Sequence, residues 1–153
     1  MPKQAMVFAA GLGTRLRPLT DDKPKALVML QGKTLLEYCI TNLMGHGFEK
    51  IVVNIHHFAQ KMLDEIDILK KKFPSIDLIV SDESDLLLET GGGLEHALKH
   101  FTQEHPILIH NVDVISNINL HELYLKYLDE SAEAIVAVSN RQEQIHLVDT
   151  RLT

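Results

Sequence analysis

The chain has 153 residues, 45% hydrophobic and 24% charged, which suffices for one domain with a substantial core and excludes a disordered or fibrous polymer. Its formal net charge of -6, with cations gathered around residues 15–25, argues against a general nucleic-acid surface. The single Cys39 can form no internal disulfide, and no apolar run approaches the ~18 residues of a membrane span, so a cytoplasmic protein with no membrane or nucleic-acid partner is expected.

In chain order, Ala5 to Ala10 carries no polar residue and is too short for a buried helix. It reads as a central strand covered on both faces. Gly11 and Gly13 follow, and they let the backbone turn sharply with peptide N–H groups turned toward a ligand. Arg15, Arg17, Lys23 and Lys25 crowd the same loop, while Pro18 and Pro24 stiffen it. Such a loop suits a polyphosphate. A dinucleotide fingerprint would need glycine where Leu16 stands, and a P-loop ending at Gly32-Lys33-Thr34 would need glycine at Leu27, so neither is present.

Ala26 to Leu30 reads as a short extended piece, and Gln31-Gly32 as a turn. Thr34 with Glu37 forms a capping-box pattern ahead of a helix whose Leu35, Leu36, Cys39, Ile40, Leu43 and Met44 fall on one stripe. Cys39 on that stripe reads as a small buried hydrophobe. Ile51 to Ile55 is a second buried strand, and His56 to Lys72 a second helix with a basic last turn. Pro74 breaks it, and Ile76 to Val80 gives a third strand.

An acidic loop, Ser81 to Glu89, leads to Thr90-Gly91-Gly92-Gly93 and a third helix running to about Phe101. Pro106 to His110 is a fourth strand aimed at Asn111-Val112-Asp113, Asn119 caps a fourth helix, and Ala134 to Val138 is expected as a fifth strand. Alternation of strand and helix implies a doubly wound, mostly parallel α/β sheet with helices on both faces and ligands beyond the strands' C-terminal ends. Residues 1–153 read as a single domain. Ile145 to Val148 looks like the start of a further strand, and a longer protein with this chain as its N-terminal portion is expected. A strand that stops there would leave an open edge, so a two-fold homodimer is expected as well.

Gly11-Leu-Gly-Thr-Arg-Leu-Arg-Pro-Leu-Thr20, followed by Pro24-Lys25-Ala-Leu, resembles the G-x-G-T-R-[LM]-x-P-L-T and P-K-[AP]-L signature of the sugar nucleotidyltransferases. Leu88-Glu89-Thr90-Gly91-Gly92-Gly93 resembles the matching segment of N-acetylmuramate 1-phosphate uridylyltransferases. The resemblance implies a Rossmann-like fold and transfer of a nucleotidyl group from an NTP to a sugar 1-phosphate, with Mg2+. Uridylyl transfer comes first, with guanylyl transfer next and a choline-phosphate cytidylyltransferase also open. A nucleotide-binding regulatory module without turnover is the alternative of a different class.

On this resemblance Arg15 and Lys25 are the catalytic cations, Arg15 on the triphosphate and departing pyrophosphate and Lys25 on the α-phosphate or incoming sugar phosphate. Ala10, Gly11, Leu12, Gly13 and Thr14 wrap the phosphates, and Glu89, Thr90, Gly91 and Gly92 receive the base. His56 and Asn111, at strand ends, are substrate candidates. Asp113 is the metal candidate, since a carboxylate just after a buried strand suits a hard cation on phosphate; a turn or capping aspartate is its alternative reading. Val112 stands where the family usually has glycine, and the second carboxylate of the family's metal site is expected beyond this chain. Arg17 is open between phosphate contact and simple solvation. His56 and His57 would point to opposite faces of a strand and so would not chelate one ion.

Overall fold

The computed structural model describes residues 2–85, 88–130 and 132–138. Strand β1, Lys3–Phe8, carries four consecutive buried residues, as a central parallel strand must. The loop after it contains two short 3-10 turns, Thr14–Leu16 and Lys25–Leu27. A small hairpin of β2, Met29–Leu30, and β3, Lys33–Thr34, follows. Its turn residues Gln31 and Gly32 both have positive φ, 47° and 83°, the conformation a two-residue hairpin demands. The extended piece expected over Ala26–Leu30 is therefore only Met29–Leu30, because the preceding residues close a turn through Val28 N–H to the Lys25 carbonyl.

Helix α1, Leu35–Gly45, begins where Thr34 Oγ1 accepts the Glu37 N–H at 3.0 Å, a cap worth about 1 kcal/mol. The Glu37 side chain does not return to the cap. It takes Lys72 Nζ at 2.8 Å instead, tying α1 to the next helix. Strand β4, Phe48–Ile55, leads to α2, Ala59–Lys72, which starts three residues later than the sequence pattern places it because Phe58 sits at φ 54°. Then come β5, Asp77–Asp82, α3, Glu89–Ala97, β6, Ile107–Asn111, and α4, Leu120–Asp129, whose N-cap is Asn119 as expected.

The four long strands form one parallel sheet in the order β5-β4-β1-β6. Alternate residues face opposite layers. Ala5, Val7, Ile51 and Val53 join Leu36, Ile40, Leu43, Met62, Ile66 and Leu69 of α1 and α2 in the larger core. Met6 and Val52 point the other way, onto Ala97 and Phe101 from α3 and the residues after it. The sheet is thus doubly wound, and the chain reverses direction of winding on either side of β1.

Ala134 to Val138 is not a strand. These residues pair with no strand among the described residues, and Val136 and Val138 are 76% and 89% exposed. An apolar run makes a strand only where a ladder partner satisfies its backbone. The strand expected at Ile145–Val148 lies outside the described residues. No helix among the described residues is long and apolar enough to cross a membrane.

Candidate active site

The winding reverses between β1 and β6, the position at which a doubly wound sheet leaves a crevice beyond the C-terminal ends of its strands. Phe8 is in register with Asn111, and Val112 N–H donates to the Phe8 carbonyl at 3.2 Å, so the loops leaving the two strands start side by side. Into this crevice the β1 loop sends Lys25, whose Nζ lies 2.8 Å from Asp113 Oδ2, and both side chains are partly exposed. The Pro24 N-cap, at φ -68° and ψ 154°, sets the direction from which Lys25 arrives.

The glycine loop is built on contacts of its own. Gly13, at φ 66°, heads the Thr14–Leu16 turn, and its carbonyl accepts both Leu16 N–H at 2.9 Å and Thr20 Oγ1 at 2.8 Å. A Cβ there would stand 3.0 Å from Thr20 Cγ2 and 3.2 Å from Lys25 Cβ. Gly11 differs, since a Cβ on it would meet nothing within 4 Å, and the free space lies over the exposed side of the loop. Leu12 and Thr14 are also exposed, whereas Ala10 is buried at the loop's root.

The loop cations separate clearly. Arg17 pairs with Asp21 at 3.5 Å and Lys23 with Asp22 at 3.6 Å, both on the surface, and Lys25 pairs with Asp113. Arg15 is exposed and forms no ion pair with any described residue. Of the two readings open for Arg17, the Asp21 pair supports the solvated one.

Glu89, Thr90, Gly91 and Gly92 form the first turn of α3, and the first three are exposed. Glu89 has φ 59°, a conformation that favours glycine, and a Cβ on Gly91 would meet nothing within 4 Å. His56 stands at the end of β4 with Nδ1 2.6 Å from the Glu83 carbonyl, so that nitrogen is committed to backbone. Asn111, exposed at the end of β6, accepts through its carbonyl from Val114 N–H at 3.1 Å and from His110 Nδ1 at 2.7 Å. Burial holds the His110 imidazolium below its ordinary pKa, against the opposing pull of the Asn111 carbonyl and the Asp113 carboxylate. Cys39 Sγ lies 3.4 Å from His110 Nδ1 in the core, and burial pushes its thiol up to about 12, in keeping with a small buried hydrophobe.

Two residues of this region, Asn54 and Glu83, escape the motif reading. Asn54 is the polar member of the otherwise apolar run Ile51–Ile55, and that anomaly is the signal that could have found it. Its Oδ1 accepts the Ala9 and Ala10 N–H groups at 2.7 and 3.2 Å, at the root of the glycine loop. Its Nδ2 donates to Glu83 Oε1 at 2.9 Å, with both residues buried. Gly93 lies against the pair: a Cβ there would fall 2.8 Å from Glu83 Oε1.

For a metal, Asp113 offers one hard oxygen donor. Among the described residues no three His, Cys, Asp or Glu side chains are grouped to hold an ion. A single carboxylate fits Mg2+, which keeps most of its shell as water and phosphate oxygen, and does not fit an ion that needs an all-protein cage.

The family described as nucleotidyl transferase matches residues 4–145. An N-acetylmuramate alpha-1-phosphate uridylyltransferase of Caulobacter vibrioides is 45% identical over 114 residues, 74% of this chain and 47% of that protein. A UTP–glucose-1-phosphate uridylyltransferase of Haloferax volcanii is 32% identical over 139 residues, 88% of this chain and 53% of that one. The chain therefore spans about half the length of these curated relatives. Among solved structures, HddC from Yersinia pseudotuberculosis complexed with GMP-PN superposes with TM-score 0.71 at 25% identity, covering 83% of this chain and 55% of that one. A UDP-glucose pyrophosphorylase from Acinetobacter superposes with TM-score 0.69 at 20% identity, covering 86% and 54%, and shows the shared fold.

Proposed function

We propose, from a chain that belongs to the nucleotidyl transferase family, that the protein transfers a nucleoside monophosphate from an NTP to a sugar 1-phosphate, releasing pyrophosphate and forming an NDP-sugar. Uridylyl transfer to an amino-sugar phosphate is the favoured case, supported by the Glu89–Gly93 segment and the Caulobacter relative; guanylyl transfer is second. The observation that carries the reading is the Lys25–Asp113 contact, 2.8 Å across the crevice between the β1 and β6 loops.

In this reading an oxygen of the sugar phosphate attacks the α-phosphorus as the α–β bridging bond breaks and its electrons leave with pyrophosphate. No side-chain nucleophile is needed. Positioning and charge stabilisation supply the catalysis. The N–H groups of the Gly11–Thr14 stretch line the phosphates. Arg15, which has no carboxylate partner among the described residues, is available to the β- and γ-phosphates and to the leaving group. Lys25 turns from Asp113 to the α-phosphate or the acceptor. The exposed first turn of α3 offers small residues and free N–H groups to a base. Asp113 is the residue that would hold Mg2+, which when bound supplies charge neutralisation on the phosphate oxygens.

A pyrophosphate-release assay with each NTP and a panel of sugar 1-phosphates tests the proposal. Release that depends on both substrates supports it. NTP binding with no release under any pairing would favour a binding module instead.

A further inference from the structure

We propose that Asn54 and Glu83 are positioning residues forming one buried pivot that sets the glycine loop and the start of α3 relative to each other. The proposal rests on the reading of those two segments as a nucleotide site. It goes beyond it by naming what holds the halves in register.

The geometry is specific. The Asn54 side-chain carbonyl takes two successive backbone amides, Ala9 and Ala10, at the point where β1 stops and the loop begins. One acceptor holding two adjacent N–H groups fixes the peptide planes from which Gly11 departs. The Asn54 amide then donates to Glu83 Oε1 at 2.9 Å. Glu83 is 3% exposed, and its Oε2 is buried with no hydrogen-bond partner. Asn54 is accordingly the only side-chain donor to this carboxylate among the described residues. Glu83 is itself anchored, through its N–H to the Ile55 carbonyl at 2.9 Å and its carbonyl to His56 Nδ1. Against it lies Gly93, where a Cβ would stand 2.8 Å from Oε1 and 3.2 Å from Asn54 Nδ2. The helix reaches the pivot because that residue has no side chain. A shift in the pivot is therefore felt both at the root of the phosphate loop and one turn into α3.

Donor and acceptor roles make a swap test possible. Asn54→Asp keeps an acceptor for Ala9 and Ala10 but sets two carboxylates face to face. Glu83→Gln alone keeps an acceptor for Asn54 and is mild. The double variant Asn54→Asp/Glu83→Gln reverses the bond: a carboxylate oxygen at position 54 accepts from the new amide at 83, its other oxygen still serves Ala9 and Ala10, and net charge equals that of the parent.

Two readouts are taken on each protein. In the ligand-free state, amide hydrogen exchange is followed at residues 9–14 and 91–94. Asn54→Asp is expected to lose protection in both segments, by roughly tenfold or more, and the double variant to regain it in both. Titration with UTP and the other three triphosphates is expected to show a Kd about tenfold weaker for Asn54→Asp and within about threefold of the parent for the double variant. Loss of protection confined to one segment, or a folded double variant no better than the single, overturns the pivot. A lower Tm with unchanged triphosphate affinity would show a structural bond only and overturns it too. If the parent protein binds no triphosphate, the nucleotide reading falls, and the exchange pattern alone decides the coupling.

Discussion

Lys25 and Asp113 share a salt bridge of 2.8 Å although one closes the loop after the first strand and the other follows the last strand of the sheet. Each candidate therefore holds the other's partner position: the lysine occupies the carboxylate that would face a cation, and the carboxylate occupies the ammonium that would face phosphate. Binding of a triphosphate and of a divalent cation should each loosen this pair and so favour the other.

The first prediction follows from that exchange. In Asp113→Asn, the gain in UTP affinity produced by Mg2+ should shrink by roughly tenfold or more, while metal-free UTP binding is retained or improved as Lys25 is released. Calorimetric titration with and without Mg2+ checks it. An undiminished Mg2+ effect would remove Asp113 from the metal site.

Arg15→Ala should lower turnover in the active protein by about two orders of magnitude, the scale of losing one preorganised electrostatic donor. Its Tm should stay within a degree or so of the parent, since substitutions of exposed side chains without partners are close to neutral. Near-normal turnover would show that another group stabilises the leaving pyrophosphate.

The two loop glycines should behave oppositely. Gly13→Ala forces a side chain into φ 66° and against Thr20 and Lys25, a strain of about 1–3 kcal/mol, and should lower the denaturation midpoint. Gly11→Ala enters open space and should leave that midpoint nearly unchanged while weakening triphosphate binding. Equal loss of stability in both variants would contradict the loop geometry described above.

His110 gives a prediction in pH. Burial lowers its folded-state pKa below the ordinary value near 6.5, so below that pH the unfolded chain binds more protons than the folded one. Stability linked to His110 is therefore complete above about pH 6.5 and is lost as pH falls through the unfolded and then the folded pKa. His100, lowered chiefly by desolvation, contributes with the same sign. Urea denaturation between about pH 7 and 5 should show falling stability, and the slope should flatten in His110→Gln. An unchanged slope would place the dependence elsewhere.

The amino-acid sequence by itself determined what is local. The apolar stretch Ala5–Phe8 of β1, the Thr34 and Asn119 caps and the turn at Gln31-Gly32 are patterns within a few residues of each other, and the structure builds each of them, although β1 starts earlier, at Lys3, and ends before Ala9 and Ala10 of the expected strand. Tertiary structure decided everything that depends on which strand lies beside which. The order β5-β4-β1-β6 brings Asp113 to Lys25 and stations Asn54 between the root of the glycine loop and Glu83. Nothing local marks Glu83 within an acidic loop, because its distinction is burial, and burial follows from the approach of α3 at Gly93. Ala134–Val138 shows the same limit from the other side: the residues have strand character, but a strand exists only when a neighbour accepts its hydrogen bonds, and sequence spacing does not specify that neighbour.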